Sequence, residues 1–414
     1  MNSRDVISLG LGLEAPWEIK GQILDTEKVP HELRLTIKAD RGAKYPCPVC
    51  GAMCKAHDFK VKTWRHLNFF QHHCYITAPV PRIRCERHGV KQITVPWARK
   101  GSKFTLLFEQ AAMVLVREMP VLTAARILEM KDKRLWRIIR HYVNQALARM
   151  DLSGLKAFSL DETKSRRGHR YITVFIDLDR KEKPVVFATP GKGKKTLKAF
   201  KRFLADHQGK AERVVEVVSD MSGAFISGIK THFVNSNITV DWFHVVQLFS
   251  KAVDEVRRKE AKEVRMPRAA RWATLKAAES DFTEKQLDAL AELEAMDLHT
   301  AEAWRIKELL RWVRRATNLR AARWRLTWFL NLANELCEDK KLLAPVRKAL
   351  RTVEKYREEI LARWISEHSN GRIEALNGIF QAAKVRARGY RNDETFITII
   401  YLLAAPLQNL LKST

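Results

Sequence analysis

Three acidic residues and two cysteine-bearing pairs hold the reactive chemistry of this chain. Asp161 closes the alternating run "LKAFSLDE", Asp220 closes "RVVEVVSD", and Glu374 lies in "SEHSNGRIEALNG". Carboxylates can hold Mg²⁺ (or Mn²⁺), and two such ions about 3.5–4 Å apart serve the attacking and leaving oxygens of a phosphodiester. Taken singly, each acid also fits a helix cap, a loop acid or a surface glutamate, and the spacing between them has no specificity of its own. The second chemistry is metal ligation by sulfur. Cys47-x-x-Cys50 in "PCPVCG" and Cys85-x-x-His88 in "CERHG" each carry a turn glycine, the pattern of a structural Zn²⁺ site of Cys3His type. Cys54 and His57 could instead close a compact site with Cys47 and Cys50, and a metal-free reading also stays open. His66, His72, His73 and Cys74 read as surface or core residues.

The elements that must position these groups change character along the chain. Residues 1–100 read as a small β-rich zinc-binding module, in which "ELRLTIKAD" alternates with Leu33, Leu35, Ile37 and Ala39 on one side, and "RIRC" is a short strand. Residues 101–150 read as helices. Phe104, Leu107, Phe108, Ala111 and Leu115 make one apolar stripe, and Pro120 stops that helix. "VLTAARILEMKDKRLWRIIRHYV" then has the form of a helix-turn-helix. Lys133, Arg137 and Arg140 share one face of its second helix, with Arg134 beside them, and Leu135, Trp136, Ile139 and Val143 lie opposite. A basic face of this kind fits a DNA groove; it also fits a solvated surface.

From residue 155 the period becomes alternating. Three consecutive strands, a helix, a strand, a helix and a strand give the order of a ribonuclease H-like core, first part 151–244. Acids at the ends of neighbouring central strands face one edge of such a sheet. Asp177 and Asp179 read as hairpin-turn acids. Residues 245–365 are charged, tryptophan-rich and helical, an all-α insertion. Residues 366–414 return to the core as helices, the first with Ile373, Leu376 and Phe380 as its buried stripe, Glu374, Asn377 and Gln381 as an adjoining polar one, and Ser369 or Asn370 as its cap. The whole is a multidomain α+β chain.

Composition narrows the partner. With 75 Lys+Arg against 47 Asp+Glu, the 414 residues carry a formal net charge of +28, spread along the chain, which suits a large nucleic-acid footprint. No apolar run approaches the ~20 residues of a membrane span, and the N-terminus reads as no signal peptide, so a cytoplasmic, nucleoid-associated protein is expected. Five of the six cysteines lie between Cys47 and Cys85, and in that compartment they suit metal ligands or core thiols rather than disulfides.

At "CPVCG" with "CERHG", "TAARILEMKDKRLWRIIRHY", "LDETKSRRGHRYITV", "VVSDMSGAF", "VDWFHVVQL" and "SNGRIEALNGIFQAAKVRARGY", the chain resembles the ISL-three family of insertion-sequence transposases over nearly its whole length. The resemblance implies a DDE core with Asp161, Asp220 and Glu374 as the acidic triad and a helical insertion before the glutamate. It implies two Mg²⁺ per active site, double-stranded DNA as partner (terminal inverted repeats and target), and a homodimer that joins two ends. Asp241 and His244 resemble an Asp-x-x-His pair that supports the active site in related transposases; a purely structural pair is the other reading. Arg372, Lys384, Arg386 and Arg388, flanking the glutamate, are expected on DNA phosphates. One departure is the second knuckle, Cys-x-x-His where the family often has Cys-x-x-Cys. The rival functions are a catalytically inactive DNA-binding regulator derived from a transposase, and a structure-selective nuclease.

Overall fold

The computed structural model describes residues 3–39, 42–166, 168–276, 282–368 and 370–406. Two compact units divide the chain, Met1–Asn144 and Gln145–Pro406.

In the first unit, helix α1 (Ser3–Gly10) precedes strands β1 (Trp17–Asp25), β2 (Glu32–Ala39), β3 (Lys44–Pro46), β4 (Met53–Phe69), β5 (His72–Cys85) and β6 (Gly89–Gln92). The sheet order is β1-β2-β5-β4-β3, with β6 on β5. The alternation expected in β2 is present: Leu33, Leu35, Ile37 and Ala39 are buried. The strand ending in "RIRC" is not short. It runs back through Pro79 and Pro81 to His72, because those prolines lie beyond the β2 pairing (His73–Thr77) and before the β6 pairing (Arg82–Cys85). Proline lacks an N–H, and at those two positions the strand pairs only with β4, so it remains in the ladder. Trp97 sits at the centre of the core, edge-on to Trp17 at 4.9 Å and to Trp64 at 5.7 Å.

Helices α2 (Leu106–Glu118), α3 (Val121–Ile127) and α4 (Asp132–Ala148) follow. Pro120 separates the first two, as expected. The buried face of α2 is Phe108, Ala112, Met113 and Val116, while Leu107 is exposed, so the stripe lies one position round from the expected one. Both stripes have helical spacing. The choice between them is made by Glu109, which is fully buried and accepts from Arg99 Nε (2.7 Å), Ser102 Oγ (2.7 Å) and the Tyr142 hydroxyl (2.9 Å). Glu109 thus ties the end of the β region to α4. Glu109→Ala strands a cation and a phenol in the core, with an expected cost of about 3–5 kcal/mol. Urea unfolding measures it; a loss below about 1 kcal/mol would show that the network does not hold the two parts together.

The second unit opens with β7 (Ala157–Arg166), β8 (Arg170–Asp177) and β9 (Val185–Pro190), joined antiparallel, then α5 (Lys194–Asp206), β10 (Glu216–Ser219), α6 (Gly223–His232) and β11 (Asn237–Val240). The sheet order is β11-β10-β7-β8-β9, with β10 parallel to both β7 and β11. Phe158, Phe175, Phe200 and Phe233 pack beneath it. Asp177 and Asp179 are turn acids: Asp177 accepts from the amides of Asp179 and Arg180, and Asp179 from those of Lys156 and Ala157.

Between β11 and residue 365 the described elements are helical: α7 (Trp242–Glu260), α8 (Ala270–Leu275), α9 (Glu284–Ala295), α10 (His299–Arg314), α11 (Leu319–Cys337), α12 (Ala344–Lys355) and α13 (Arg357–Leu361), with two short 3₁₀ turns. Glu260 at the end of α7 is buried and accepts from the amides of His299 and Thr300, supplying an N-terminal cap to α10 from another helix. Helices α14 (Gly371–Arg386) and α15 (Asp393–Ala404) complete the unit. The Ala188 amide donates to the Tyr401 hydroxyl, which so covers the open edge of β9. Among the described residues no helix is long and apolar enough to cross a membrane.

Candidate active site and metal centre

Strand register assembles the acids. Val218 on β10 lies opposite Ser159 on β7, and Ser219 opposite Val240 on β11. Two steps further along the first ladder and one along the second place Asp220 level with Asp161 on one side and Asp241 on the other. Asp161 was expected to end its strand, but β7 continues to Arg166 as a hairpin with β8. It is β10 that stops, so the edge at which Asp161 lies is the edge of the β7–β10 pairing.

Glu374 comes from α14, whose Ile373, Leu376 and Phe380 are buried, as its wheel predicts. The polar stripe lies along β7. Asn377 Nδ2 donates to Asp161 Oδ2 at 2.8 Å, and Gln381 Nε2 donates to Thr163 Oγ1 at 2.7 Å. The start of the helix is fixed from the other side. Asp241 accepts from the Phe243 amide, capping α7, and from the Asn370 amide, both at 2.8 Å. Asn370 is not a side-chain cap of α14: its Oδ1 accepts from the buried Ser159 hydroxyl instead. Ser369, the alternative cap, lies outside the described residues.

The electrostatics are those of acids gathered away from water. Burial raises the carboxyls of Asp161 and Asp220, opposed by bonds from the Glu162 and Ser222 amides respectively and, for both, by His244 nearby. Burial raises Glu374 too, with Asp241 adding to the effect and His244 offsetting it. Glu374 Oε1 and His244 Nε2 are buried without a hydrogen-bond partner. Asp241 thus ties α7 to the start of α14 while lying close enough to raise Glu374, and His244 stands among the acids with a free ring nitrogen. Glu162, given no role by the sequence pattern, belongs to the same field: burial first, then Asp220, pushes it up to about 7. Oxygen donors, an unpaired buried carboxylate oxygen and mutual repulsion are what a divalent cation would relieve, so these residues fit Mg²⁺ or Mn²⁺. Beside Glu374 opens a cavity of about 660 Å³ lined by Trp242, Phe243, Arg314, Arg363 and Trp364 among others.

The flanking cations differ in availability. Arg372 and Arg388 are exposed. Lys384 donates to the Lys164 carbonyl at 2.5 Å and lies over the Phe396 ring, and Arg386 is exposed but also engaged.

In the first unit Cys47, Cys50, Cys85 and His88 come together, their ligand atoms all within 4.8 Å of one another. Among the described residues this is the one His/Cys/Asp/Glu group so compact. The Cys50–Cys85 sulfurs are 3.7 Å apart, and Cys85 Sγ and Cys47 Sγ lie 3.5 and 3.8 Å from His88 Nδ1. Tetrahedral zinc with Zn–S near 2.3 Å and Zn–N near 2.0 Å has ligand-to-ligand edges of about 3.5–3.8 Å, so the set fits Zn²⁺. His88, foremost, pulls the Cys85 thiol down to about 6, toward the thiolate that metal binding needs. Of the rival ligands, Cys54 lies beside the set, its thiol raised by burial and then by Cys85 while its Sγ also contacts the Ala52 carbonyl, and His57 faces Asp58.

The helix-turn-helix is held at its turn. Arg65 of β4 donates to the Glu129 carbonyl at 2.9 Å, and His73 of β5 bonds the Glu129 carboxylate. On α4, Lys133, Arg134 and Arg137 are exposed, and Leu135, Ile139 and Val143 are buried. Arg140 differs from its expected place on the open face. It is half-buried over the Trp136 ring, and its Nε is enclosed.

Comparison with known proteins gives three family matches. A model described as "Transposase" matches residues 158–400, one for the helix-turn-helix domain of transposase family ISL3 matches 93–143, and one for the zinc-finger of transposase IS204/IS1001/IS1096/IS1165 matches 44–88. The chain is 27% identical over 369 residues to the transposase for insertion sequence element IS1001 of Bordetella parapertussis, covering 84% of this chain and 86% of that one. It is 26% identical over 298 residues to the transposase for IS1557 of Mycobacterium tuberculosis, covering 64% and 66%.

Proposed function

The chain belongs to the ISL3 family of transposases and is a DNA transposase that binds DNA through its helix-turn-helix; from that premise we propose that it binds the terminal inverted repeats of its own insertion sequence, cleaves at their ends and transfers the freed 3′-hydroxyls to target DNA. The observation that carries the catalytic half is the assembly of Asp161, Asp220 and Glu374 at one sheet edge, with an unpaired Glu374 oxygen buried among them. In this reading the sheet of order β11-β10-β7-β8-β9 is a ribonuclease H-like core, and α7–α13 are an all-α insertion within it.

Asp161, Asp220 and Glu374 would hold two Mg²⁺ or Mn²⁺. Bound there, the cations supply charge stabilisation at the phosphodiester and an activated water or hydroxyl. The chain's own groups set the geometry. Asn377 fixes the Asp161 carboxylate, the Ser222 amide fixes Asp220 at 3.0 Å, and the Asp241–Asn370 bond fixes the start of the glutamate's helix. His244 is placed to hold a proton or a DNA oxygen with its free Nε2. Arg372, Lys384, Arg386 and Arg388 hold DNA phosphates along α14 and the turn after it. The domain division expected from sequence stands in this reading: 1–100 and 101–150 for DNA recognition, with zinc as a structural ion, then the core parts 151–244 and 366–414 around 245–365. The protein acts as a homodimer, since two ends are joined in one event, and works in the cytoplasm at the nucleoid.

The direct test incubates the protein and Mg²⁺ with a duplex carrying the element's end, taken from the DNA flanking the reading frame. Nicks at the repeat boundary and joining to a second duplex are expected. Cleavage of branched DNA without regard to the end would overturn the reading in favour of a structure-selective nuclease. For recognition, Arg137→Ala should weaken end binding by about 1–3 kcal/mol if it reads a base, and should lower the salt slope by about one if it holds a phosphate. A mobility-shift titration at several salt concentrations separates the two, and an unchanged affinity removes Arg137 from the interface.

A further inference from the structure

The β4–β5 hairpin ends in two phenylalanines that the core leaves in water. Phe70 is 81% exposed and Phe69 45%, and their rings meet edge-on at 4.8 Å. Phe70 has φ of 53°, a left-handed backbone that suits glycine or asparagine better than a bulky ring. The ladder also slips between His66 and Phe69, so the tip departs from the regular strand pair. Among the described residues, nothing in the packing of the unit calls for two large apolar side chains at this turn.

The base of the same hairpin is fastened to the helix-turn-helix. The Arg65 main chain pairs with Lys103 and Thr105, just before α2, and its guanidinium lies over the Phe108 ring at 5.5 Å. Arg65 and His73, one on each strand, grip Glu129 in the turn between α3 and α4. That turn adjoins the end of α4 bearing Lys133, Arg134 and Arg137, the end that a recognition helix presents to base edges. From Arg65 to Phe69 is four residues, about 13 Å of strand. Half a turn of duplex, the step from a major groove to the neighbouring minor groove, is about 17 Å. The hairpin is thus long enough to cross most of that step. Its flank is cationic as well: Lys62 is held below the usual lysine range first by burial and then by Lys60 and Lys103.

We propose that Phe69 and Phe70 form a wedge that enters the minor groove beside the site read by α4 and parts a base step, kinking the transposon end. The proposal rests on the end-binding reading above. It assigns the hairpin tip a role that the zinc centre and α4 do not have: reading deformability, so that a flexible pyrimidine–purine step at one fixed distance from the α4 contacts is favoured.

The test uses the full chain and a duplex of the element's end labelled at both termini for energy transfer, with 2-aminopurine at candidate steps. The Phe69→Ala/Phe70→Ala double variant changes only exposed side chains, so an unchanged melting curve is expected. It should lose the bend and the 2-aminopurine signal, and bind the end about 10–100-fold more weakly with the salt slope unchanged, since no phosphate contact is removed. Phe70→Trp should keep the bend. Arg137→Ala is measured alongside. If that variant and the wedge variant both bind like the parent, end reading by α4 falls and the premise with it. If Arg137→Ala weakens binding while the double variant binds and bends DNA like the parent, the wedge alone is overturned. A double variant that changes only the oligomeric state, with the bend intact, also overturns it and makes the tip a protein contact.

Discussion

Asp220→Ala should abolish metal-dependent cleavage at the transposon end while leaving end binding unchanged. Several kcal/mol of transition-state stabilisation depend on correctly held cations, which corresponds to a rate loss of about a thousandfold or more. Binding persists because the helix-turn-helix and the zinc centre lie in the other compact unit. The conservative Asp220→Asn adds a readout that mere misfolding would not give. Burial raises the Asp220 carboxyl, so the folded chain holds that proton more tightly than the unfolded chain does. The metal-free protein is therefore stabilised as pH falls through the raised pKa, and destabilised by that group above it. A neutral amide removes the penalty. Asp220→Asn should melt higher than the parent at neutral pH without metal, lose the added stability that Mg²⁺ gives the parent, and cleave nothing. Undiminished cleavage by either variant would remove Asp220 from the site, leaving the inactive-regulator reading nothing to explain.

Zinc removal is the second large effect, and it should reach well beyond the ligands. Structural zinc sites contribute about 10–16 kcal/mol of apparent binding free energy, much of it folding free energy. Cys85 ends β5 and His88 precedes β6, while Cys47 and Cys50 follow β3, so the ion would hold both ends of the β4–β5 hairpin. That hairpin carries Arg65 and His73, which hold the turn of the helix-turn-helix through Glu129. Cys85→Ser, or a strong chelator, should therefore cost end binding altogether as well as lower the melting temperature of the first unit. Cys54→Ser and His57→Ala should be close to silent. If Cys54→Ser releases zinc while Cys85→Ser does not, the ligand set is the compact one around the first knuckle.

What could be read in the sequence follows the range of the interactions involved. Cys47, Cys50, Cys85 and His88 were legible because metal ligation imposes a local spacing and a turn glycine on each pair. The stripe of Ile373, Leu376 and Phe380 was legible because helical periodicity is local. The reasons behind Asp161 were not. Its place at an edge depends on where β10 stops pairing with β7, a register set by residues more than fifty positions away. The buried face of α2 turned on Glu109 finding Arg99, Ser102 and Tyr142, which no wheel of α2 alone contains. The full length of β5 was not legible from "RIRC", because the neighbours on either side of that strand were unknown. Asn377 was visible on the polar stripe, three residues after Glu374, but its bond to Asp161 joins positions 216 residues apart. Arg140 joined the basic face by spacing and left it by stacking on Trp136.

The tie between Asp241 and Asn370 spans 129 residues, whose described elements are helices. Closing a loop of that length is entropically costly, so the bond gains its partner only once the intervening helices have packed and shortened the distance. During synthesis the recognition unit leaves the ribosome first, then both aspartates, and the glutamate more than a hundred and fifty residues after them. If the three acids cut DNA as proposed, the nascent protein would find DNA before it is able to cut, and a chain interrupted before Glu374 would yield no stray nuclease.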